Sequence, residues 1–219
     1  MPLKLYAHPF SSYCQKALIA FYENDIGFQY LELGPEHPEV GREFGRLWPI
    51  GRFPILLDGE QLVVEATIII EHLALHHPGP VQLVPADARA ALPDRMLDRF
   101  FDNYVMAPVQ RIVGDALRAP DERDSKGVSE ARALLDKAYA WLETYLGGRE
   151  WATDQGFSLA DCAAAPSLFY ADWAHPIPDS FANVRGYRRR LLARPSFARA
   201  VEEARPYRSL FPLGAPDRD

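Results

Sequence analysis

The feature that most constrains this chain is a change of hydrophobic period near residue 80. Before it, short runs of period two alternate with runs of helical spacing; after it, the pattern is helical almost to the end. The first half reads β-α-β-(α)-β-β-α. Leu3–Ala7 alternates as a strand, and His8–Ser12 reads as a turn. Cys14, Ala17, Leu18, Phe21 and Tyr22 then fall at three- and four-residue spacing on one face of a helix. Phe28–Leu33 reads as a second strand, and a short helix is expected around Val40–Leu47. Pro54–Leu57 and Gln61–Val64 flank Asp58-Gly59, the pattern of a hairpin with an Asp-Gly turn. Glu65–His77 is apolar and of helix length, and Pro78-Gly79-Pro80 stops it. The expected fold is α/β plus all-α: a mixed four-stranded sheet with helices on both faces, followed by an all-helical unit.

The domains are expected over residues 1–79 and 87–219, with the Pro78–Pro85 region as linker. In the second half helices are expected over Asp87–Leu117, Ser129–Leu146, Ser158–Trp173, Asn183–Ala193 and Ser196–Ala204. Pro108 and Pro166 should kink or interrupt two of them. Arg205–Asp219 is expected as an extended tail that packs back through Tyr207, Leu210 and Phe211.

With 48% hydrophobic and 25% charged residues, the 219 residues can bury a sizeable core. A net charge of -6 argues against nucleic acid and anionic membranes as partners. No apolar run is long enough to span a bilayer. The N-terminus lacks the apolar stretch of a signal peptide, so a cytoplasmic location is expected. Cys14 and Cys162 are expected as small buried hydrophobes rather than a disulfide.

Four short constellations carry the chemistry. Ser11-Ser12-Tyr13-Cys14 lies between a strand and a helix, spaced like Cys-x-x-Cys but with serine first. A helix start offers unpaired N–H groups and partial positive charge, which stabilise a thiolate. With serine in that place the chain offers a hydroxyl donor to a thiolate brought by a ligand, or a plain helix cap; both readings stay open. Arg52-Phe53-Pro54 precedes a strand, and Pro54 is either cis, presenting the backbone to an extended ligand, or a trans proline at a strand start. Glu65-Ala66-Thr67 stands where a strand gives way to a helix, suited to a ligand's ammonium and carboxylate groups or to capping alone. Ser158-Leu159-Ala160-Asp161 reads as a structural capping box.

In this order and spacing the four resemble the glutathione transferase superfamily, in a serine-type, bacterial-like form, over essentially the whole chain. The resemblance also rests on Pro49-Ile50-Gly51-Arg52-Phe53-Pro54-Ile55-Leu56, Val64-Glu65-Ala66-Thr67-Ile68-Ile69-Ile70-Glu71-His72-Leu73 and Arg194-Pro195-Ser196-Phe197. It implies a thioredoxin-like N-terminal domain that binds glutathione as co-substrate, a helical domain that holds a small electrophile, and a homodimer. It implies that Ser11, with Ser12 next in line, acts on the glutathione thiol. It places Arg52, Phe53, Pro54, Glu65 and Ala66 on glutathione, and suggests Phe10, Tyr104, Arg111 and Trp173 as walls of the electrophile pocket. Ala66 stands where the family commonly has serine, with Thr67 as the nearest substitute hydroxyl; Trp48 and Phe53 also depart from the common residues.

The function so implied is a transferase of detoxification type. The alternatives are a glutathione-dependent peroxidase, reductase or lyase, or a binding or scaffold protein that has lost catalysis. Thiol reductases of the superfamily tend to carry cysteine where Ser11 stands. No metal is expected. His72, His76 and His77 show no acidic or cysteine partner at a suitable spacing and read as favourable charges at a helix end. Arg188-Arg189-Arg190 reads as a solvated helix face rather than a nucleic-acid patch.

Overall fold

A computed structural model describes residues 2–219. The alternating first half forms β1 (Leu3–Ala7), α1 (Ser12–Glu23), β2 (Phe28–Glu32), α2 (Pro38–Leu47), β3 (Ile55–Asp58), β4 (Gln61–Val64) and α3 (Ala66–His76). The sheet order is β2-β1-β3-β4. β1 runs parallel to β2, with Leu5 opposite Tyr30, and antiparallel to β3, with Leu5 opposite Leu56. Side chains alternate across a strand, so β1 buries two faces at once. Leu3, Leu5 and Ala7 pack on the main core with α1 and α3, while Tyr6 and Ile55 meet Phe44 of α2 on the other side.

The second half contains α4 (Ala91–Phe100), a π-helical segment (Phe101–Met106), α5 (Ala107–Ala116), α6 (Ser125–Tyr145), α7 (Leu159–Ala174), α8 (Ala182–Ala193) and α9 (Pro195–Ala204). Every residue of α7 is buried, and this helix is the axis of the helical half. α1 packs against α7 and α9 as well as against α3, so the helix that starts at Ser11 is held by both halves. Between the halves, Asn24 at the end of α1 accepts the Val81 N–H at 2.8 Å. A Cβ on Gly79 would meet Asn24 Oδ1 at 2.4 Å, so only glycine permits the linker this close an approach.

The capping box of α7 is present. The Ser158 N–H donates to Asp161 Oδ2 at 2.9 Å, and Asp161 Oδ1 accepts the Ala152 N–H at 3.0 Å and the Tyr187 hydroxyl at 2.6 Å. Burial pushes the Asp161 carboxyl up to about 6.

Several expectations give way. The helix expected over residues 87–117 starts at Ala91 and is interrupted by the wider π-helical segment. Pro108 follows directly on that segment within one continuous helical run, so the expected interruption stands next to the proline, one turn earlier than the residue itself. Pro166 does not end α7, which continues to Ala174 because packing along its whole length offsets the lost bond. The tail is not simply extended: Arg205–Leu210 forms a 3-10 turn. Tyr207 and Phe211 pack back, the first through a hydrogen bond to Glu32 and the second under Trp173, whereas Leu210 is exposed. Arg188 is buried beside Asp172 instead of lying on a solvated face.

Candidate functional site

Two helix starts face one cleft. The chain leaves β1 through a tight turn in which the Ser11 N–H donates to His8 O at 3.0 Å. α7 clamps this turn, its Tyr170 hydroxyl donating to Phe10 O at 3.1 Å, and Gln15 of α1 donates to Pro9 O at 3.0 Å. Ser11 is the N-cap of α1, in an extended conformation, and its Oγ accepts the Cys14 N–H at 3.4 Å. The Ser11 hydroxyl proton takes no part in that contact. The amides of Ser12 and Tyr13 are the remaining donors of the first turn. The second start is that of α3. Its N-cap Glu65 has φ of 71°, a conformation that costs a non-glycine residue roughly 1–3 kcal/mol and is found mostly at functional sites. No side chain caps the first-turn amides of α3.

Ser11, Arg52, Phe53, Pro54, Glu65 and Ala66 line a polar cleft of about 480 Å³. The Phe53-Pro54 peptide bond is cis. The opposite wall carries Arg99, Asp102, Asn103 and Gln110 from the helical half. A second, apolar cavity of about 490 Å³ adjoins it, lined by Phe10, Ser12, Val109, Val113, Tyr170 and Phe211 among others. Ser11, Phe53 and Gln110 belong to both, so Ser11 stands at the junction of a polar and an apolar chamber.

Three expected pocket residues lie elsewhere. Tyr104 is half exposed and packs on Phe100, with ring centroids 5.4 Å apart. Arg111 points outward to Asp124 and Glu130, at 3.4 Å from each. Trp173 is buried behind the cavity wall, against Phe10 and Phe211. The wall itself uses Val109, Gln110, Val113, Gly114 and Leu117, whose spacing marks one helix face; Arg111 lies off that face. Leu210, Phe211 and Pro212 of the tail close the far side.

Behind the polar cleft is an ionic knot. Lys16 of α1, almost wholly buried, pairs with Asp98 at 2.6 Å and Asp102 at 2.8 Å. Arg99 reaches both aspartates and donates to Thr67 Oγ1 at 2.5 Å. Thr67 Oγ1 also contacts Lys16 at 2.9 Å and Asp98 at 3.0 Å. The Thr67 hydroxyl is therefore committed to the knot and is no substitute for the serine absent at Ala66. Burial pushes the Asp102 carboxyl up from its usual range, against the pull of Lys16.

The thiol, phenol and imidazole of the turn around Ser11 are neutral at pH 7. Burial pushes the Cys14 thiol up to about 12, and its sulfur accepts the His8 N–H at 3.4 Å. Burial also pushes the Tyr13 phenol up to about 12. His8 is lowered by burial, and its Nδ1 accepts the Phe10 N–H at 3.1 Å. The site thus offers hydroxyl and amide donors beside a helix start but no ionised nucleophile of its own. That arrangement suits an anion supplied by a ligand.

The histidines at the end of α3 do have an acidic partner. Asp58, distant in sequence, accepts from His72 at 2.9 Å and from His77 at 2.7 Å.

Comparison with known proteins agrees with this architecture. The glutathione S-transferase N-terminal domain model matches residues 5–81, and the C-terminal domain model matches residues 100–195. The chain belongs to the glutathione transferase family. It is 28% identical to glutathione S-transferase 3 of Zea mays over 91% of this chain and 93% of that one. It is 27% identical to FtsZ-localized protein A of Caulobacter vibrioides over 88% of each. A glutathione S-transferase of Methylobacterium radiotolerans, solved in complex with glutathione sulfonate, superposes with a TM-score of 0.79 at 27% identity, covering 92% of this chain and 95% of that one. No helix among the described residues is long and apolar enough to cross a membrane.

Proposed function

We propose that the protein is a glutathione transferase in which Ser11 holds the glutathione thiolate and the apolar cavity holds a small electrophile. The observation that carries this reading is the position of Ser11, shared by the polar and the apolar chamber. Bound glutathione supplies a thiol that, once ionised, attacks an electrophilic carbon. The chain's part is to favour the ionised form. A free thiol near ~8.5 is mostly protonated at pH 7, and lowering it by two units takes about 2.7 kcal/mol. A hydroxyl donor together with a helix N-terminus is of that size. Ser12 is buried on the apolar side and lines only that chamber, so Ser11 takes the role and Ser12 supports the wall.

The polar cleft fits a zwitterionic tripeptide. Glu65 suits the ammonium end, the uncapped amides at Ala66 suit the neighbouring carboxylate, and Arg52 suits the glycyl carboxylate. The backbone of Phe53, before Pro54, suits the cysteinyl unit. The glutathione-binding unit is then residues 1–79, and the helical unit over 87–219 carries the electrophile wall. Phe10 belongs to that wall, and Trp173 backs it.

A homodimer is part of the proposal. Ile68 and Leu75 flank Glu71 on α3, Leu92 and Met96 flank Arg95 on α4, and Glu71 and Arg95 pair at 2.8 Å. All four apolar side chains are exposed around that one ion pair. A cytoplasmic detoxification role accords with two free buried thiols.

Comparing Ser11→Ala with Ser12→Ala tests the reading. Ser11→Ala is expected to slow conjugation of an activated aryl halide at pH 7 by roughly tenfold and at most about 25-fold, the loss of thiolate when the thiol returns toward ~8.5, while glutathione Kd changes only a few-fold; Ser12→Ala should do far less. Saturable glutathione binding with no turnover in the wild type would favour the second reading, a non-catalytic binding protein, which the missing hydroxyl at Ala66 supports. Absence of glutathione binding would overturn both.

A further inference from the structure

We propose that Asp58, His72 and His77 form a divalent-metal site of zinc type, separate from the glutathione cleft. Three side chains from two elements converge there: their ligand atoms all lie within 4.8 Å of one another. Asp58 ends β3 just before the Gly59 turn. His72 projects from the last turns of α3, and His77 follows the final residue of that helix. Residues five apart on an unbroken helix point about 140° from each other. His72 and His77 meet because the helix ends between them: His77 leaves the helical conformation, with φ of -134° and ψ of 54°, while its N–H still donates to Leu73 O at 2.8 Å.

The donor set and spacing fit zinc. Two imidazoles and one carboxylate are a common three-ligand set, with a fourth position left to water. Bonds of about 2.0–2.1 Å in tetrahedral geometry place donor atoms roughly 3.3 Å apart. Here the two Nε2 atoms stand 2.9 and 2.7 Å from the same Asp58 oxygen. An ion enters if that oxygen withdraws by about half an ångström from each ring and the two imidazole nitrogens, now within 4.8 Å, close toward ~3.3 Å, movements open to a hairpin-end carboxylate and a histidine just past the helix end. His72 is buried, whereas the side chains of Asp58 and His77 are 26% and 32% exposed, so the site has a closed floor and an open mouth. His76, exposed, lies beside His72 with ring centroids 4.5 Å apart, outside the donor cluster. The cleft lies at the other end of α3, about 9 Å from His72 and about 16 Å from His77 along the helix axis at 1.5 Å per residue.

The test uses the full-length protein stripped with a chelator and titrated with Co²⁺ and with Zn²⁺. One equivalent of Co²⁺ per chain should give the absorption of a four-coordinate ion. Zn²⁺ should displace it and raise Tm, reversibly on adding chelator. His77→Gln and Asp58→Asn should each weaken uptake by more than an order of magnitude while melting close to the metal-free parent. No saturable uptake at micromolar ion overturns the proposal. Uptake of equal strength in both variants overturns it too, by placing the ion elsewhere. Neither readout depends on glutathione or on turnover.

Discussion

The two chambers that meet at Ser11 are built in different ways. The polar one is assembled from chain turns: a strand-to-helix turn at Ser11, a peptide before β3 at Phe53-Pro54, and a second strand-to-helix turn at Glu65. On that side its donors are backbone amides and side chains held by local geometry; the opposite wall, with Arg99 and Gln110, is brought by the helical half. The apolar one is assembled from faces: one side of α5, Tyr170 of α7 and the returning tail at Phe211. Nothing local places those residues; only the packing of the helical half does. One chamber is therefore set by backbone conformation, and the other offers a shape that a few substitutions can change.

The largest expected effect falls on the apolar side. Phe211 is buried against Trp173 at a centroid distance of 5.4 Å, so Phe211→Ala should cost about 3–5 kcal/mol in denaturant unfolding. It should also raise KM for an apolar electrophile while leaving glutathione Kd unchanged. An equal loss in glutathione Kd would break the separation of the chambers.

Next comes Cys14, beside the polar chamber but closed to it. A thiol raised from 9.0 to about 12 holds about 10³-fold less thiolate at neutral pH. Native protein at pH 8 should resist alkylation, and labelling should appear only on unfolding or as pH climbs toward that value. Because the shift is upward, acid cannot expose the thiolate. Rapid native labelling at Cys14 would show that the floor of the site opens to solvent.

Arg52→Ala should weaken glutathione binding by roughly tenfold, the size of one partly exposed charge-assisted hydrogen bond. Titration calorimetry at low and high salt checks this, since the loss should shrink as salt screens the pair. On the chambers themselves the smallest effect is expected at Ser158→Ala, which should leave both intact while costing about 0.5–2 kcal/mol of stability. Ser158 also donates to Asp94 at 2.7 Å, so the loss should fall toward the upper end of that range. A change in either ligand's affinity there would tie the capping box to the site.

The same contrast explains what could be read from sequence. Ser11, Arg52, Phe53, Pro54, Glu65 and Ala66 were legible because each sits at a junction where a strand, a turn or a helix start obeys local rules. Strand alternation and the Asp-Gly turn likewise give the sheet without tertiary knowledge. Tyr104 and Arg111 fall elsewhere because the break expected at Pro108 begins earlier, over Phe101–Met106. The π-helical segment over Phe101–Met106 widens one turn and resets which face of α5 meets the cavity. Gln110, Phe211 and Arg99 were missed because their roles depend on docking. Thr67 looked free because Lys16 and Asp98 lie far from it in sequence, and Asp58 was not linked to His72 and His77 for the same reason.

The pKa of the glutathione thiol in the complex, followed by thiolate absorbance against pH in wild type and Ser11→Ala, bears most directly on Ser11 as the thiolate donor. The expected result is a bound thiol about two units below the free ~8.5, moving back up when the hydroxyl is removed. A bound thiol left at its free value in the wild type, or a lowered one that Ser11→Ala does not move, would contradict that role.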